Sequence, residues 1–257
     1  MRFGLFGSAS AKRGSGEFDS TEGFTDFIDY NVEAEALGFH STFVVEHHFT
    51  GYGQVSATLN LLTWLGARTK TLRLGTAVTV LPWHNPVLLA EQAATIDLLS
   101  GGRLDLGIGT GYRYNEFAGF DVDIDEARAK FEESIEVMLK AWTSNERFSH
   151  KGKYWTFKDI IVEPPSFRKP HPAVWMGAGS ERSIQDVAKR GFNLLLGQYA
   201  SPVQVAHNIA IFRKAVEEKG EPWDPMRVGL ARAFFVTNET REVEEALERR
   251  LANRLRQ

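Results

Sequence analysis

A short apolar run, Thr42-Phe43-Val44-Val45, ends in Glu46-His47-His48-Phe49, which sets one carboxylate and two imidazoles on consecutive residues. Imidazole is the side chain most readily tuned to move protons near neutral pH. Neighbouring side chains on a strand point to opposite faces, so His47 and His48 are badly placed to hold one metal ion together. The spacings that suit a metal, His-x-His on a strand or His-x-x-x-His and His-Glu-x-x-His on a helix, do not occur here. The expectation is no metal, one imidazole facing a site as acid, base or hydrogen-bond donor, and the other in packing or loop support.

Three further stretches have the composition of ligand-binding turns. Leu104-Asp105-Leu106-Gly107-Ile108-Gly109-Thr110-Gly111-Tyr112 carries glycines at alternate positions after a strand. Such a run either lets a planar or phosphorylated ligand approach the backbone or makes a tight turn into a helix. It is not the dinucleotide fingerprint, because Tyr112 stands where the last glycine belongs, and no Gly-Lys-Ser/Thr follows to make a Walker loop. In Trp175-Met176-Gly177-Ala178-Gly179-Ser180-Glu181-Arg182-Ser183 a strand ends in small residues and Ser180 falls at a helix N-cap. Ser180 is then either a plain cap or, with Ser183, a hydroxyl donor to phosphate drawn to the helix start. Gly75-Thr76-Ala77-Val78-Thr79-Val80-Leu81-Pro82 reads as a buried strand with a patch of small residues, against which a flat ring could lie. Trp83-His84-Asn85-Pro86 turns at the same end.

These tips need a scaffold that aims them one way. Strand-like runs at 3–7, 42–46, 72–81, 104–109, 173–176, 192–196 and 228–236 alternate with helix-like runs at 24–37, 55–68, 86–99, 125–142, 181–190, 202–219 and 241–256. Residues 148–162 break the rhythm, with Lys151-Gly152-Lys153 between two β-rich runs, and predict a hairpin excursion. Alternation predicts a parallel sheet with right-handed crossovers, in which chemistry sits at the carboxyl ends of the strands. The expected fold is a TIM-type (β/α)8 barrel formed as a single domain over 1–257. Seven strands are counted where eight close the barrel, so either it is incomplete at its C-terminal side, the favoured expectation, or the excursion at 148–162 hides a barrel strand.

Composition narrows the classes. The 257 residues are 43% hydrophobic and 25% charged, ordinary for a globular chain. A formal net charge of −3 gives no electrostatic reason for nucleic acid or an acidic membrane. The absence of cysteine removes disulfides, thiolate metal sites and a cysteine nucleophile. No apolar stretch approaches the 18 or so residues of a membrane span, and the N-terminal apolar run is too short for a signal peptide. A cytoplasmic protein is expected.

In their order, Glu46-His47-His48-Phe49, Gly75-Thr76-Ala77-Val78 with Leu81-Pro82, Leu99-Ser100-Gly101-Gly102-Arg103, Gly107-x-Gly109-x-Gly111 and Gly177-Ala178-Gly179-Ser180 resemble the bacterial luciferase-like flavin-dependent monooxygenases over residues 1 to about 240. The resemblance implies reduced FMN, or coenzyme F420 in some branches, at the barrel mouth. It implies His47 as the catalytic imidazole, supported by Glu46, which would orient it or hold the strand end. It implies a non-prolyl cis peptide at Ala77–Val78 beneath the ring, and cofactor contacts from Gly109, Thr110, Gly177, Ala178, Gly179, Ser180 and Ser183. The chain departs from the family pattern at Val78, where luciferase has alanine, and at Thr110, where luciferase has a phosphate-binding arginine. Arg113 or Arg182 is the alternative source of that charge. Phe117–Phe120 and Trp83 are expected to line an apolar substrate pocket. Implied partners are dioxygen, a small organic substrate, a separate flavin reductase and a second copy of the chain. The implied activity is oxygenation; a hydride-transfer enzyme using F420 and a non-catalytic flavin-binding subunit are the alternatives.

Overall fold

The computed structural model describes residues 1–11, 20–51 and 53–255. Its strands are β1 (Gly4–Gly7), β2 (Ser41–Val44), β3 (Arg73–Thr76), β4 (Thr79–Val80), β5 (Leu104–Gly109), β6 (Phe148–Lys151), β7 (Thr156–Ile160), β8 (Ala173–Gly177), β9 (Asn193–Leu196) and β10 (Val228–Leu230). Its helices are α1 (Ser20–Ala36), α2 (Thr58–Arg68), α3 (Pro86–Leu99), α4 (Tyr114–Gly119), α5 (Ala127–Thr143), α6 (Glu181–Lys189), α7 (Pro202–Glu218) and α8 (Thr240–Leu255).

The main sheet runs β1-β2-β3-β5-β8-β9-β10, every pair parallel, with β4 continuing β3 alongside β5. It curls into a half-barrel with helices packed outside. β1 and β10 end the strand order and are not paired to each other, which matches the expected incomplete barrel. β6 and β7 form the expected hairpin, antiparallel and separate from the sheet.

Each strand of the sheet divides its faces. On β2 the outward Thr42 and Val44 are fully buried under the helices, while Phe43 turns to the concave side. The buried core therefore lies between sheet and helices, built from residues such as Leu62, Leu65, Leu74, Leu104, Phe131 and Leu194. α3 begins where the sequence calls for it. Pro86 occupies the first helical position and the Asn85 side chain accepts hydrogen bonds from the amides of Val87 and Leu88.

Two of the strand-like runs differ from the pattern of the sequence. The run 72–81 is one strand by composition but two in space, and its pairing explains why. Gly75 faces Asp105 and Thr79 faces Ile108, so four steps along β3–β4 match three along β5. One extra residue is accommodated between them, as in a β-bulge. The run 228–236 keeps strand pairing only to Leu230; beyond it Phe234, Phe235 and Val236 are exposed.

Candidate active site

Because every strand of the sheet is parallel, all the singled-out tips leave the same edge. His47 and His48 follow β2, Ala77 and Val78 sit between β3 and β4, Thr110 follows β5, and Gly177–Ser180 link β8 to α6. Topology alone gathers them.

His47 has a partner that spacing could not reveal. Its Nδ1 lies 3.0 Å from Oε1 of Glu116, a side chain only 2% exposed on α4. The same Oε1 accepts the His48 amide at 2.8 Å. A carboxylate oxygen only accepts, so His47 Nδ1 donates, which fixes the tautomer and leaves Nε2 without a hydrogen-bond partner among the described residues. α4 is held there by Phe117, 1% exposed, whose ring meets Trp83 at 5.3 Å. The only sequence signal was an acid beside an aromatic in a segment that reads as loop.

Glu46 serves other groups. Its Oε1 accepts hydrogen bonds from His48 Nε2 at 2.9 Å and His84 Nε2 at 2.7 Å, and its Oε2 accepts from the Val80 amide at 2.8 Å. Of the two placements open to it, Glu46 takes the one that holds strand ends together, and Glu116 is the carboxylate at His47. Burial pushes the Glu46 carboxyl up, but the hydrogen bonds from His48, His84 and Val80 and the charge of His84 outweigh it, leaving it below its ordinary value. A depressed folded-state value stabilises the fold above the ordinary carboxylate value, and that contribution is lost as pH falls through the folded one. Glu46→Gln should therefore lower the melting temperature at neutral pH and flatten the loss of stability below about pH 4.5. Acid-melting curves of equal steepness in wild type and variant would contradict this.

His48 sits in an aromatic cluster. Its ring meets Phe120 at 4.7 Å, Trp83 at 5.4 Å and Phe49 at 5.8 Å, and Trp83 stacks on Phe120 at 5.4 Å. These rings pack on one another with Phe49 and Phe120 still exposed, and Trp83, Phe117 and Phe120 stand outside the lining of the concave trough. The cavity lies on the concave face of the half-barrel, a trough of about 630 Å³. At the carboxyl end of the strands it is lined by Ala77, Val78, Gly177 and Gly197, with Phe43 and Trp175 on its floor. Ala77–Val78 is a non-prolyl cis peptide.

The alternate glycines of β5 have a packing purpose. A Cβ on Gly107 would fall 1.8 Å from the Thr76 carbonyl oxygen, one on Gly109 2.5 Å from Val78 Cγ2, and one on Gly111 2.7 Å from Val80 Cγ1. The bulge pushes residues 76, 78 and 80 into spaces that only glycine leaves. Gly109 thus carries Val78 on its open side. At the other wall the space is free: a Cβ at Gly177 would come no nearer than 3.7 Å to Val78, and Gly179 and Gly197 have nothing within 4 Å.

Ser180 caps α6 in a reciprocal box with Ser183: each amide donates to the other's hydroxyl, at 3.3 and 3.1 Å. The intervening amides of Glu181 and Arg182 are the donors that a helix start leaves over. Ser180 is exposed and neither serine lines the trough. Thr110 is half-buried. Arg113 lies over the Tyr112 ring at 5.7 Å with its Nε buried and without a hydrogen-bond partner among the described residues, while Arg182 is exposed.

A sequence model of the luciferase-like monooxygenases matches residues 1–256. The chain is 28% identical over 196 residues to the oxygenase component of a flavin-dependent trigonelline monooxygenase from Acinetobacter baylyi, covering 76% of this chain and 53% of that protein. It is 32% identical over 172 residues to an FMNH2-dependent dimethylsulfone monooxygenase from Pseudomonas putida, covering 63% and 47%. The chain thus spans about half the length of these two curated relatives. Among solved structures it superposes on the monooxygenase RslO1 from Streptomyces bottropensis with a TM-score of 0.87 at 26% identity, covering 96% of this chain and 75% of the other.

Proposed function

The chain belongs to the luciferase-like monooxygenase family, and from that premise we propose that it binds reduced FMN, supplied by a separate flavin reductase, and uses dioxygen to oxidise a small organic substrate. The observation that carries this reading is the His47–Glu116 pair, an imidazole with one nitrogen fixed and the other free, set at the strand edge that also bears Ala77–Val78. A non-catalytic flavin carrier has no need of such a pair.

The residues present fit a flavin. The trough volume lies within the range of pockets that hold cofactors. Its rim at Gly177 and Gly197 is open where a side chain would intrude. Ala77, Val78, Gly177 and Ala178 would face the ring, with Gly109 acting through Val78. Gly179, Ser180, Ser183 and the first-turn amides of α6 would hold the phosphate, with Thr110 and Arg113 at the neighbouring tip. When bound, reduced flavin supplies the electrons that activate dioxygen. Glu116 keeps the neutral imidazole's proton on Nδ1, so that His47 accepts a proton at Nε2 and, once protonated, can return it from there. Glu46 acts indirectly, fixing His48, His84 and the Val80 amide so that the strand ends keep their places. Two copies working together are supported by the exposed Trp64 on α2 and Leu88 on α3.

Anaerobic titration with reduced FMN and, separately, with reduced F420, followed by admission of air, tests the proposal. Saturable binding of reduced FMN with oxygen uptake on admitting air is the expected result. Saturation by F420 alone, with no oxygen uptake, overturns it in favour of hydride transfer, and binding of neither overturns it outright.

A further inference from the structure

α4 is only six residues long, too short a helix to persist without contacts that hold it. One hold is Phe117, buried against Trp83. A second is Glu116, whose Oε1 accepts from His47 Nδ1 at 3.0 Å and from the His48 amide at 2.8 Å. A third comes from the residue that follows the two imidazoles. Phe49 has a left-handed backbone, φ 55°, an outlier for a bulky side chain that persists only where its surroundings enforce it. Its ring meets Phe120 at 5.0 Å and rests on Gly119, the last residue of α4. A Cβ at position 119 would fall 2.4 Å from Cδ2 and 2.5 Å from Cε2 of that ring. Gly119 does not itself lie in the left-handed region. Glycine is therefore required there by the approach of the ring and not by backbone conformation. Phe49 is 61% exposed, so the contact fills no core. It joins the tip of β2 to α4 one helical turn beyond Glu116.

We propose that Phe49 is a positioning residue for His47: seated on Gly119, its ring holds α4 where Glu116 reaches His47 Nδ1, and so keeps the neutral imidazole's proton off Nε2. This role, which rests on the reading of His47 as the imidazole that handles the proton, is exerted through Glu116. The tolerance is narrow. A side-chain hydrogen bond is lost by about 3.5 Å, so the 3.0 Å bond to His47 survives a drift of the short helix by only about half an ångström. The His48 amide draws on the same oxygen, so a displaced Glu116 can keep that backbone bond and still lose the ring. With Glu116 gone from Nδ1, nothing among the described residues selects between the two neutral forms of His47.

The tautomer of His47, read from long-range proton–nitrogen NMR correlations of the full chain at about pH 8.5, well above the ordinary imidazole value, tests this without flavin. His47→Gln assigns the signal. Phe49→Asn removes the ring with a residue that tolerates the left-handed backbone, Phe49→Tyr keeps the ring, and Gly119→Ala pushes the exposed ring aside. The expected result is a proton held on Nδ1 in the wild type and Phe49→Tyr, and a mixture of Nδ1 and Nε2 forms in Phe49→Asn and Gly119→Ala, with all four chains melting together. With reduced FMN and any substrate the wild type oxidises, the ratio of product to peroxide should fall at least fivefold in the same two variants and hold in Phe49→Tyr. A wild-type tautomer in Phe49→Asn overturns the proposal, as does a shifted tautomer with an unchanged ratio. A wild type that oxygenates nothing, with the tautomer shifted in both variants, would sink the oxygenase reading while supporting the hold of Phe49 on His47.

Discussion

His47→Ala is expected to bind reduced FMN within about threefold of the wild-type chain while losing substrate oxidation by about 10²–10⁴-fold, the span that a positioned acid or base contributes. The His47 backbone amide donates to the Val55 carbonyl at 3.0 Å. Removing the imidazole leaves that backbone bond and the trough wall in place. Oxygen uptake should continue, with hydrogen peroxide released in place of oxidised product. Glu116→Ala should reproduce part of the defect, up to about 10²-fold, because the imidazole is then free to rotate and to change tautomer. The measurement is the ratio of product to peroxide per oxygen consumed, with any substrate the wild type oxidises. An unchanged ratio in His47→Ala would remove this residue from the chemistry.

Gly107→Ala is expected to be the most damaging single methyl in the sheet. The added carbon would fall 1.8 Å from the Thr76 carbonyl oxygen and 3.0 Å from its carbon. Backbone atoms cannot rotate out of the way, and Thr76 is further held because its hydroxyl donates to the Gly107 carbonyl at 2.6 Å. Overpacking usually costs 1–3 kcal/mol, and a clash with backbone belongs at or above the top of that range, about 3 kcal/mol. For a chain of this size that lowers the melting temperature by roughly 6–12 °C. Gly179→Ala, with open space around its Cβ position, should melt within about 2 °C of wild type by the same scaling. Thermal melts of the two variants side by side decide the matter; equal melting temperatures would mean that Thr76 yields more easily than its contacts imply.

Much of this was legible in the chain. Strand and helix periods placed the parallel sheet, the hairpin near 148–162 and the incomplete barrel, because a two-residue and a 3.6-residue rhythm leave different traces. Once the strands are parallel, the Glu46–His48, Ala77–Val78 and Gly177–Ser180 tips must share an edge, and they do. What escaped was long-range pairing. Glu116 stands 69 positions from His47, and nothing local distinguishes it from a solvated acid until α4 folds over the mouth. Glu46 was legible as a carboxylate at a strand tip, yet its partners were decided by how Val80 and His84 return across the sheet edge. The aromatic residues 117–120 were legible as apolar and near the mouth. Whether such rings enclose a space or fill it depends on their mutual angles, which composition does not encode.

The extra residue between Gly75 and Thr79 has a consequence for how this chain can change over time. Bulk at position 78 and absence of bulk at position 109 are two halves of one fitting, since Val78 Cγ2 occupies the volume a side chain at 109 would need. A lineage that trims 78 to alanine gains freedom at 109, whereas one that keeps valine has glycine imposed on it there. The two sites are thus bound to drift as a couple, and a designer reshaping this wall must move both at once.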